Sequence, residues 1–568
     1  MGIDLNIVIG GAAGQGVHTI TGLLAKILVR QGCRVLYVQD YQSRIRGGHL
    51  FNRIRVADHP LVSSREGIDL LVALNQETIR LHRDELSPGG VIMYDASEVT
   101  DLPTGVNGLA LKAGDLLPER KAAGVAINAG ASGAILGLLK LPLEPLMVLL
   151  LEAFQDKGRE VVGWNHLAAA QGHRQGAAVG SRYSLAEITA PPQPRVLISG
   201  HEAVALGALA AGVQFLCGYP MTPWSSVLNA IGQRAEAWGV VVEQAEDEIA
   251  AINMAIGASY AGVRAMTGSS GGGFALMVEA LGLAGCSETP LVIIEAQRPG
   301  PSTGLPTRTE QGDLSFVLSA GQGDFPRAVL APGNAAQGFA LTVRAFNLAD
   351  RYQLPVFVIT DQYFGDTNCT HELEDFPGEV EIDRALATGP AEGAYERYAL
   401  TADGISPRRL PGFGPVVVAD SDEHTPDGHL TEDLEMRVKM HDKRLRKLTG
   451  LAQELNGITT MGPADAPLAL ACWGSSLGPV QEAVARLNAG KTPARLVHFS
   501  ELWPFPAAAV AAALGSPKKL VMVEMNATGQ FNRLLRQETG IAADHLVLKY
   551  DGAPFTPEYI LRALAGQA

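Results

Sequence analysis

A chain of 568 residues is too long for a single core; at roughly 150 residues per domain it predicts about four. With 47% hydrophobic and 18% charged residues it reads as globular, not disordered. A net charge of −14 argues against a general affinity for nucleic acid or an anionic membrane.

The five cysteines, Cys33, Cys217, Cys286, Cys369 and Cys472, are scattered and form no C-x-x-C. That excludes a zinc ribbon, a redox dithiol and an iron–sulfur cluster encoded by such a motif, and suits a reducing cytoplasm. Met1-Gly-Ile-Asp-Leu-Asn lacks the basic region of a signal peptide, and Asn6 breaks the myristoylation pattern. The longest apolar stretch, 131–154, is interrupted by Lys140, Pro142, Glu144 and Pro145 and is not expected to span a bilayer. The 64 glycines follow no G-X-Y period, so they belong in turns and close backbone approaches.

The expected fold class is α/β, with three domains of mostly parallel sheet. The first covers 1–184. It opens with a strand at 5–9, a glycine turn from Gly10 to Gly16, a helix at 19–29 and a second strand at 34–38. That order predicts a parallel βαβ unit. Residues 185–195, with Pro191, Pro192 and Pro194, read as a linker. The second domain, 196–430, predicts strands at 213–217, 239–243, 263–266, 291–295 and 355–360. Its expected helices are 201–211, 224–237, 247–261 and 274–285, and regularity fades from Phe364 to His429. Residues 431–466 form a long charged helix and a linker; its Lys439, Lys443, Arg444, Arg446 and Lys447 suggest a solvated or packing face without chemistry. The third domain, 467–568, predicts strands at 468–473, 494–499 and 519–524.

Several loops carry chemistry. A glycine turn between strand and helix suits a phosphate, yet Gly14-x-Gly16 reaches Thr19 where a dinucleotide fold wants Gly or Ala. Asp40 could imitate the ribose-binding acid. The turn is therefore a tight connection without a ligand, an NAD site, or a site for another phosphate-bearing ligand. Tyr41-Gln-Ser43-Arg-Ile-Arg46-Gly-Gly-His49 is an anion loop or a sharp loop with solvated charges. In Gly218-Tyr219-Pro220-Met-Thr222-Pro-Trp-Ser-Ser226 two prolines stiffen the backbone that carries Thr222, and Ser225 or Ser226 could cap the next helix. Glu246 and Asp247 suit a helix N-terminus, whereas Glu248 borders a buried face and needs a partner. Thr267-Gly-Ser-Ser270-Gly271-Gly-Gly-Phe274 permits close approach of a ligand or a facing domain. The loop after Glu295 presents Arg298, Ser302, Thr303, Thr307 and Arg308, equipment for a carboxylate. No P-loop, H-E-x-x-H, G-x-S-x-G or GDG…N pattern accompanies them.

In this order the motifs resemble the α subunit of 2-oxoacid:ferredoxin oxidoreductases, most of all the 2-oxoglutarate type with a γ domain fused at the N-terminus. Gly10–Gly16 with Tyr41-x-Ser43-x-x-Arg46-Gly-Gly48 is similar to the γ domain. Tyr219-Pro-Met-Thr-Pro223, Glu246–Ala251 and the loop from Arg298 to Asp313 are similar to a pyrimidine-binding thiamine diphosphate domain. Trp503-Pro-Phe-Pro506 and Val523–Gln530 are similar to a transketolase C-terminal domain.

The resemblance implies that a 2-oxoacid, CoA and oxidised ferredoxin give acyl-CoA, CO₂ and reduced ferredoxin, or the reverse as CO₂ fixation in a reductive tricarboxylic acid cycle. It also implies a β subunit that holds Mg²⁺ and a [4Fe–4S] cluster, an (αβ)₂ heterotetramer, and inactivity of this chain alone. On the same basis Glu248 is the acid at N1′ of the cofactor. Thr222, Arg298, Thr307 and Arg308 are substrate contacts; Tyr219, Pro220, Ser270 and Gly271 are cofactor contacts; Gly14, Gly16, Ser43 and Arg46 are candidates for CoA or another anion. Two positions depart from the family pattern: Gly272 stands where proline is expected, and Trp224 where a small residue is. The competing readings are a non-catalytic regulatory or scaffolding subunit, and a family member specific for pyruvate or branched-chain 2-oxoacids.

Overall fold

The structure is a computed structural model that describes residues 2–42, 48–117, 123–179, 183–189, 193–388, 394–412, 414 and 416–566. It divides into two compact units, Met1–Ile198 with Thr367–Leu373, and Ser199–Asp366 with Glu374–Ala568.

The first unit is built on an eight-stranded sheet. Its order is Asn107–Leu111, Leu86–Asp95, Ile68–Ala73, Asp4–Ala12, His49–Ala57, Arg34–Asp40, Asn368–Glu372 and Arg195–Ser199. The strands expected at 5–9 and 34–38 are Asp4–Ala12 and Arg34–Asp40; they run parallel, as a βαβ unit requires, with His49–Ala57 between them and antiparallel to both. Its alternating His-Leu-Phe-Asn-Arg-Ile-Arg-Val pattern buries Asn52 and Arg55 as well as Ile54 and Val56, so polar letters conceal a central strand. Arg55 is satisfied by Asp4 Oδ1 and Oδ2 at 3.0 and 2.7 Å and by the Ser63 carbonyl at 2.8 Å.

The apolar stretch 131–154 folds as parts of two helices, Ala123–Leu138 and Glu144–Phe154. The first packs backbone to backbone on Arg159–Ala178. A Cβ at Gly133 would overlap the Ala169 carbonyl, and one at Gly172 the Gly130 carbonyl. Part of the glycine excess serves this close approach. The segment expected as a linker is partly docked: Leu185 is fully buried in the first unit's core, and its N–H donates to the Leu139 carbonyl at 3.0 Å.

The second unit holds two sheets. The larger runs Glu501–Trp503, Ala328–Leu330, Pro355–Asp361, Leu291–Gln297, Ala265–Ser269, Phe215–Gly218 and Val241–Gln244. Every pair is parallel except the first. Leu291–Gln297 and Pro355–Asp361 are buried at every position, as expected for strands covered on both faces. The smaller sheet runs Ile458–Met461, Ala494–Phe499, Leu468–Trp473, Lys519–Glu524 and His545–Leu548, parallel except for its first pair.

The long charged helix is Leu434–Glu454. Its face is not simply solvated. Lys443 and Lys447 are fully buried and both pair with the fully buried Glu288 carboxylate. Burial lowers both ammonium groups while Glu288 opposes the shift, and the two lysines keep the carboxylate ionised.

Candidate cofactor and substrate site

The carboxyl edge of the larger parallel sheet gathers most of the candidate residues, the edge at which open α/β folds bind ligands. Asp247 caps the helix Glu248–Ala261, its side chain accepting from the Ala250 N–H at 2.8 Å. Glu246 is exposed. The next residue after the cap, Glu248, turns inward and is only 3% exposed.

Glu248 meets the turn that joins Ala265–Ser269 to the helix Gly271–Cys286. The Ser269 hydroxyl donates to Glu248 Oε1 at 3.3 Å. A Cβ at Gly273 would overlap both Ser269 Oγ and Glu248 Oε1, so any other residue there displaces these two side chains. Gly272, where the family pattern expects proline, has open space beyond a 3.8 Å approach to the Ser302 carbonyl. It lies in the first turn of the helix, where proline is tolerated, and either residue fits. Trp224 is fully buried, its ring packed over the backbone of Gly218 and Gly268. The two strand-end glycines accommodate the larger ring. No serine caps the helix Ser225–Gly232 through its side chain; Trp224 stands at the cap position.

Polar groups around this turn lack partners. The buried side-chain atoms Thr267 Oγ1, Ser270 Oγ and Trp224 Nε1 have none among the described residues. Buried polar groups are nearly always satisfied, so these three atoms stand out near the carboxyl edge of the sheet. The group here that fits an aminopyrimidine is the buried Glu248 carboxyl with the Ser269 hydroxyl on it.

Arg298 follows the central strand Leu291–Gln297, and its Nη1 donates to the Thr222 carbonyl at 2.8 Å. Two candidate substrate contacts from separate loops are thus brought together. Burial lowers the Arg298 guanidinium, and the Asp313 carboxylate opposes that shift. Thr307 is buried, whereas Ser302 and Thr303 are exposed at the tip of the loop. Arg308 lies against Gly552, and Tyr219 and Pro220 are exposed at the sheet edge. Gly271 faces the Asp313 carboxylate: a Cβ there would stand 2.5 Å from Oδ2.

The loop is fastened from the smaller sheet. The Gln311 N–H donates to the Met525 carbonyl at 2.6 Å, and its Nε2 to the Trp473 carbonyl at 2.9 Å. The Thr309 N–H donates to the Gly552 carbonyl at 3.1 Å. Glu524 accepts from the Phe531 and Asn532 N–H groups at 2.9 Å, and Gln530 Nε2 donates to the Gly312 carbonyl at 2.6 Å. The motif Val523–Gln530 therefore acts as a buttress for the loop 298–313. Sequence reasoning passed over Ser269, Gly273, Gln311 and Asp313. The glycine run was the signal for Gly273; the others are ordinary polar residues until the sheets are assembled.

In the first unit the turn after Asp4–Ala12 opens on a recess of about 360 Å³ lined by Gly14, Gln15, Asp95, Ser97, Glu98 and Asn128 among others. A Cβ at Gly16 would overlap the Asn128 side chain. The charged groups among its described lining residues, Asp95 and Glu98, are both acidic. Ser43 and Arg46 lie outside the described residues.

Comparison with known proteins agrees with this geometry. The family model "Pyruvate flavodoxin/ferredoxin oxidoreductase, thiamine diP-bdg" matches residues 206–443, and "Pyruvate ferredoxin/flavodoxin oxidoreductase" matches residues 6–175. The fold is therefore that of the thiamine diphosphate-binding oxidoreductases. A 2-oxoacid:ferredoxin oxidoreductase subunit alpha of Sulfolobus sp is 31% identical over 99% of this chain and 96% of its own length. A 2-oxoglutarate synthase subunit KorA of Methanothermobacter marburgensis is 34% identical over 65% of this chain and 98% of its own. The solved 2-oxoglutarate:ferredoxin oxidoreductase from Magnetococcus marinus, with 2-oxoglutarate, coenzyme A and succinyl-CoA bound, superposes with a TM-score of 0.92 at 32% identity over 99% of both chains. The chain belongs to the 2-oxoacid:ferredoxin oxidoreductase family and aligns with its alpha subunits.

Among the described residues no helix is long and apolar enough to cross a membrane, and no cluster of three or more His, Cys, Asp or Glu could hold a metal ion.

Proposed function

We propose that the chain is the α subunit of an enzyme that converts 2-oxoglutarate, CoA and oxidised ferredoxin to succinyl-CoA, CO₂ and reduced ferredoxin, or runs the reverse reductive carboxylation. The observation that carries this reading is the buried Glu248 carboxylate at the carboxyl edge of the parallel sheet, met by the Ser269 hydroxyl. The match to the Magnetococcus protein, whose bound ligands include 2-oxoglutarate and CoA, supports the choice of substrate.

Glu248 would hold the aminopyrimidine, with Tyr219, Pro220, Ser270 and Gly271 at its borders. Thiamine diphosphate, when bound, supplies a nucleophilic carbon and an electron sink. A carboxyl at N1′ holds a proton there and so shifts basicity to the amino nitrogen. Arg298 would pair with the carboxylate next to the oxo group, with the hydroxyls of Thr222 and Thr307 oriented beside it. Arg308 would serve the distal carboxylate.

Mg²⁺ and the [4Fe–4S] cluster are assigned to a β subunit in an (αβ)₂ assembly that passes electrons to ferredoxin. In support, Ile249, Met254 and Leu276 are exposed on Glu248–Ala261 and Gly271–Cys286, the two helices that begin at the site. CoA is assigned to the first unit's glycine turn, at Gly14 and Gly16 with Ser43 and Arg46. The test is an anaerobic assay of the co-expressed α and β chains against a panel of 2-oxoacids. 2-Oxoglutarate should give the highest kcat/KM, and the α chain alone no turnover. A complex inactive on every 2-oxoacid would overturn the reading.

A further inference from the structure

One buried group at the site has no role in this scheme. Glu295 lies near the end of Leu291–Gln297, in register with Ser269 on one neighbouring strand and Ile359 on the other. It is fully buried, and neither carboxyl oxygen meets an N–H or O–H donor among the described residues. What it touches is the carboxyl of Asp313. Asp361, on the adjacent strand, adds further negative charge. Asp361 has donors of its own: Ser475 Oγ at 2.5 Å, Thr309 Oγ1 at 3.1 Å and the Phe364 N–H at 2.9 Å. Glu295 has none. A fully buried carboxyl in contact with a second, partly buried one resists ionising beside it. Burial and the Asp313 charge drive the Glu295 carboxyl well above the usual range.

Asp313 connects this pair to the substrate site. Its N–H donates to Gln297 Oε1 at 2.9 Å, its carboxylate lies on Gly271, and it is the anion that acts on Arg298. Burial raises its carboxyl to about 6, against the Glu295 hydrogen bond and the Arg298 charge. Glu310, three residues earlier in the same loop, is pushed up to about 7 by burial and by Asp313. Arg298 therefore works under an acid cluster whose net charge depends on where the protons sit.

We propose that Glu295 is a protonated acid that donates to the Asp313 carboxylate, and that this singly charged pair is the positioning element that aims Arg298 at the 2-oxoacid. With both acids ionised, two negative charges would compete with the substrate for the guanidinium. With both neutral, the Thr222 carbonyl would be its chief anchor. A shared proton leaves one fixed counter-charge. This rests on Arg298 being the substrate arginine, as proposed above.

Two measurements test it. In the full-length α chain at neutral pH, the infrared spectrum of wild type minus Glu295→Gln should show a protonated-carboxyl C=O stretch that shifts in D₂O; no such band overturns the proposal. In the αβ complex, Glu295→Ala should raise KM for the 2-oxoacid about tenfold with a smaller change in kcat. Glu295→Gln keeps a donor to Asp313 and should return KM to within about twofold of wild type, and Asp313→Asn should resemble the alanine variant. An unchanged KM in Glu295→Ala, or a Gln variant as impaired as the Ala variant, also overturns it. If Glu295→Ala does not fold, the comparison of Glu295→Gln with Asp313→Asn decides. An inactive wild-type complex would sink the functional reading, while the infrared band would still decide where the proton sits.

Discussion

Both units place a glycine-rich turn between a buried strand and a helix, and the two turns differ in how their polar groups are satisfied. In the first, Gln15 closes the turn from within. Its Oε1 accepts from the Ala12 N–H at 2.7 Å and from Asn75 at 3.1 Å, its Nε2 donates to the Leu74 carbonyl at 3.3 Å, and Asn128 fills the space over Gly16. In the second, the space over Gly273 is occupied by Glu248 and Ser269, and Thr267 and Ser270 keep unpartnered hydroxyls. Glycine spacing alone does not distinguish a self-satisfied turn from a binding turn.

Substitutions can break this contrast. The largest effect belongs to Glu248→Gln, which keeps the shape and removes the acid. Anaerobic turnover of the αβ complex should fall by about 10²–10⁴, with the assembly unchanged by size-exclusion chromatography. Arg298→Ala should act mainly on substrate binding, raising KM for 2-oxoacids by about 10–100-fold, read from initial rates. Gly16→Ala must displace Asn128 at a positive φ of 88°, and should cost the first unit about 1–3 kcal/mol in denaturant unfolding. With CoA assigned to this turn, the KM for CoA should rise while the KM for the 2-oxoacid stays near wild type, read from initial rates. The smallest effect is expected for Gly272→Pro: open space and a first-turn helical position predict a change within about 1 kcal/mol in thermal unfolding.

Much of the second unit was legible in the sequence. Five of its strands and most helices fall within a few residues of their expected positions, because uninterrupted apolar runs between turns identify strands covered on both faces. Glu248 was readable as an acid on a buried face. Strands with polar letters were not: His49–Ala57 hides Asn52 and Arg55 in the core, and Asn368–Glu372 has no apolar alternation at all. The burial of Lys443 and Lys447 depends on Glu288, far away in sequence, and a charge run cannot announce a distant counter-ion. Asp313 and Glu295 escaped for the same reason. Their meaning lies in mutual contact.

The strand Asn368–Glu372 has a consequence for how the chain is made. It pairs with Arg34–Asp40, matching Asn368 to Tyr37 and Cys369 to Leu36, while the Thr370 hydroxyl bonds the backbone of Val35 at 3.0 and 3.1 Å. On the ribosome, the edge at Val35–Tyr37 emerges hundreds of residues before its partner and stays uncovered through translation of most of the second unit. Exposed edges invite pairing with other chains. A gene cut after residue 198 would leave that edge bare for good, so a first unit expressed by itself needs the seven residues from 367 to 373 supplied or the edge redesigned.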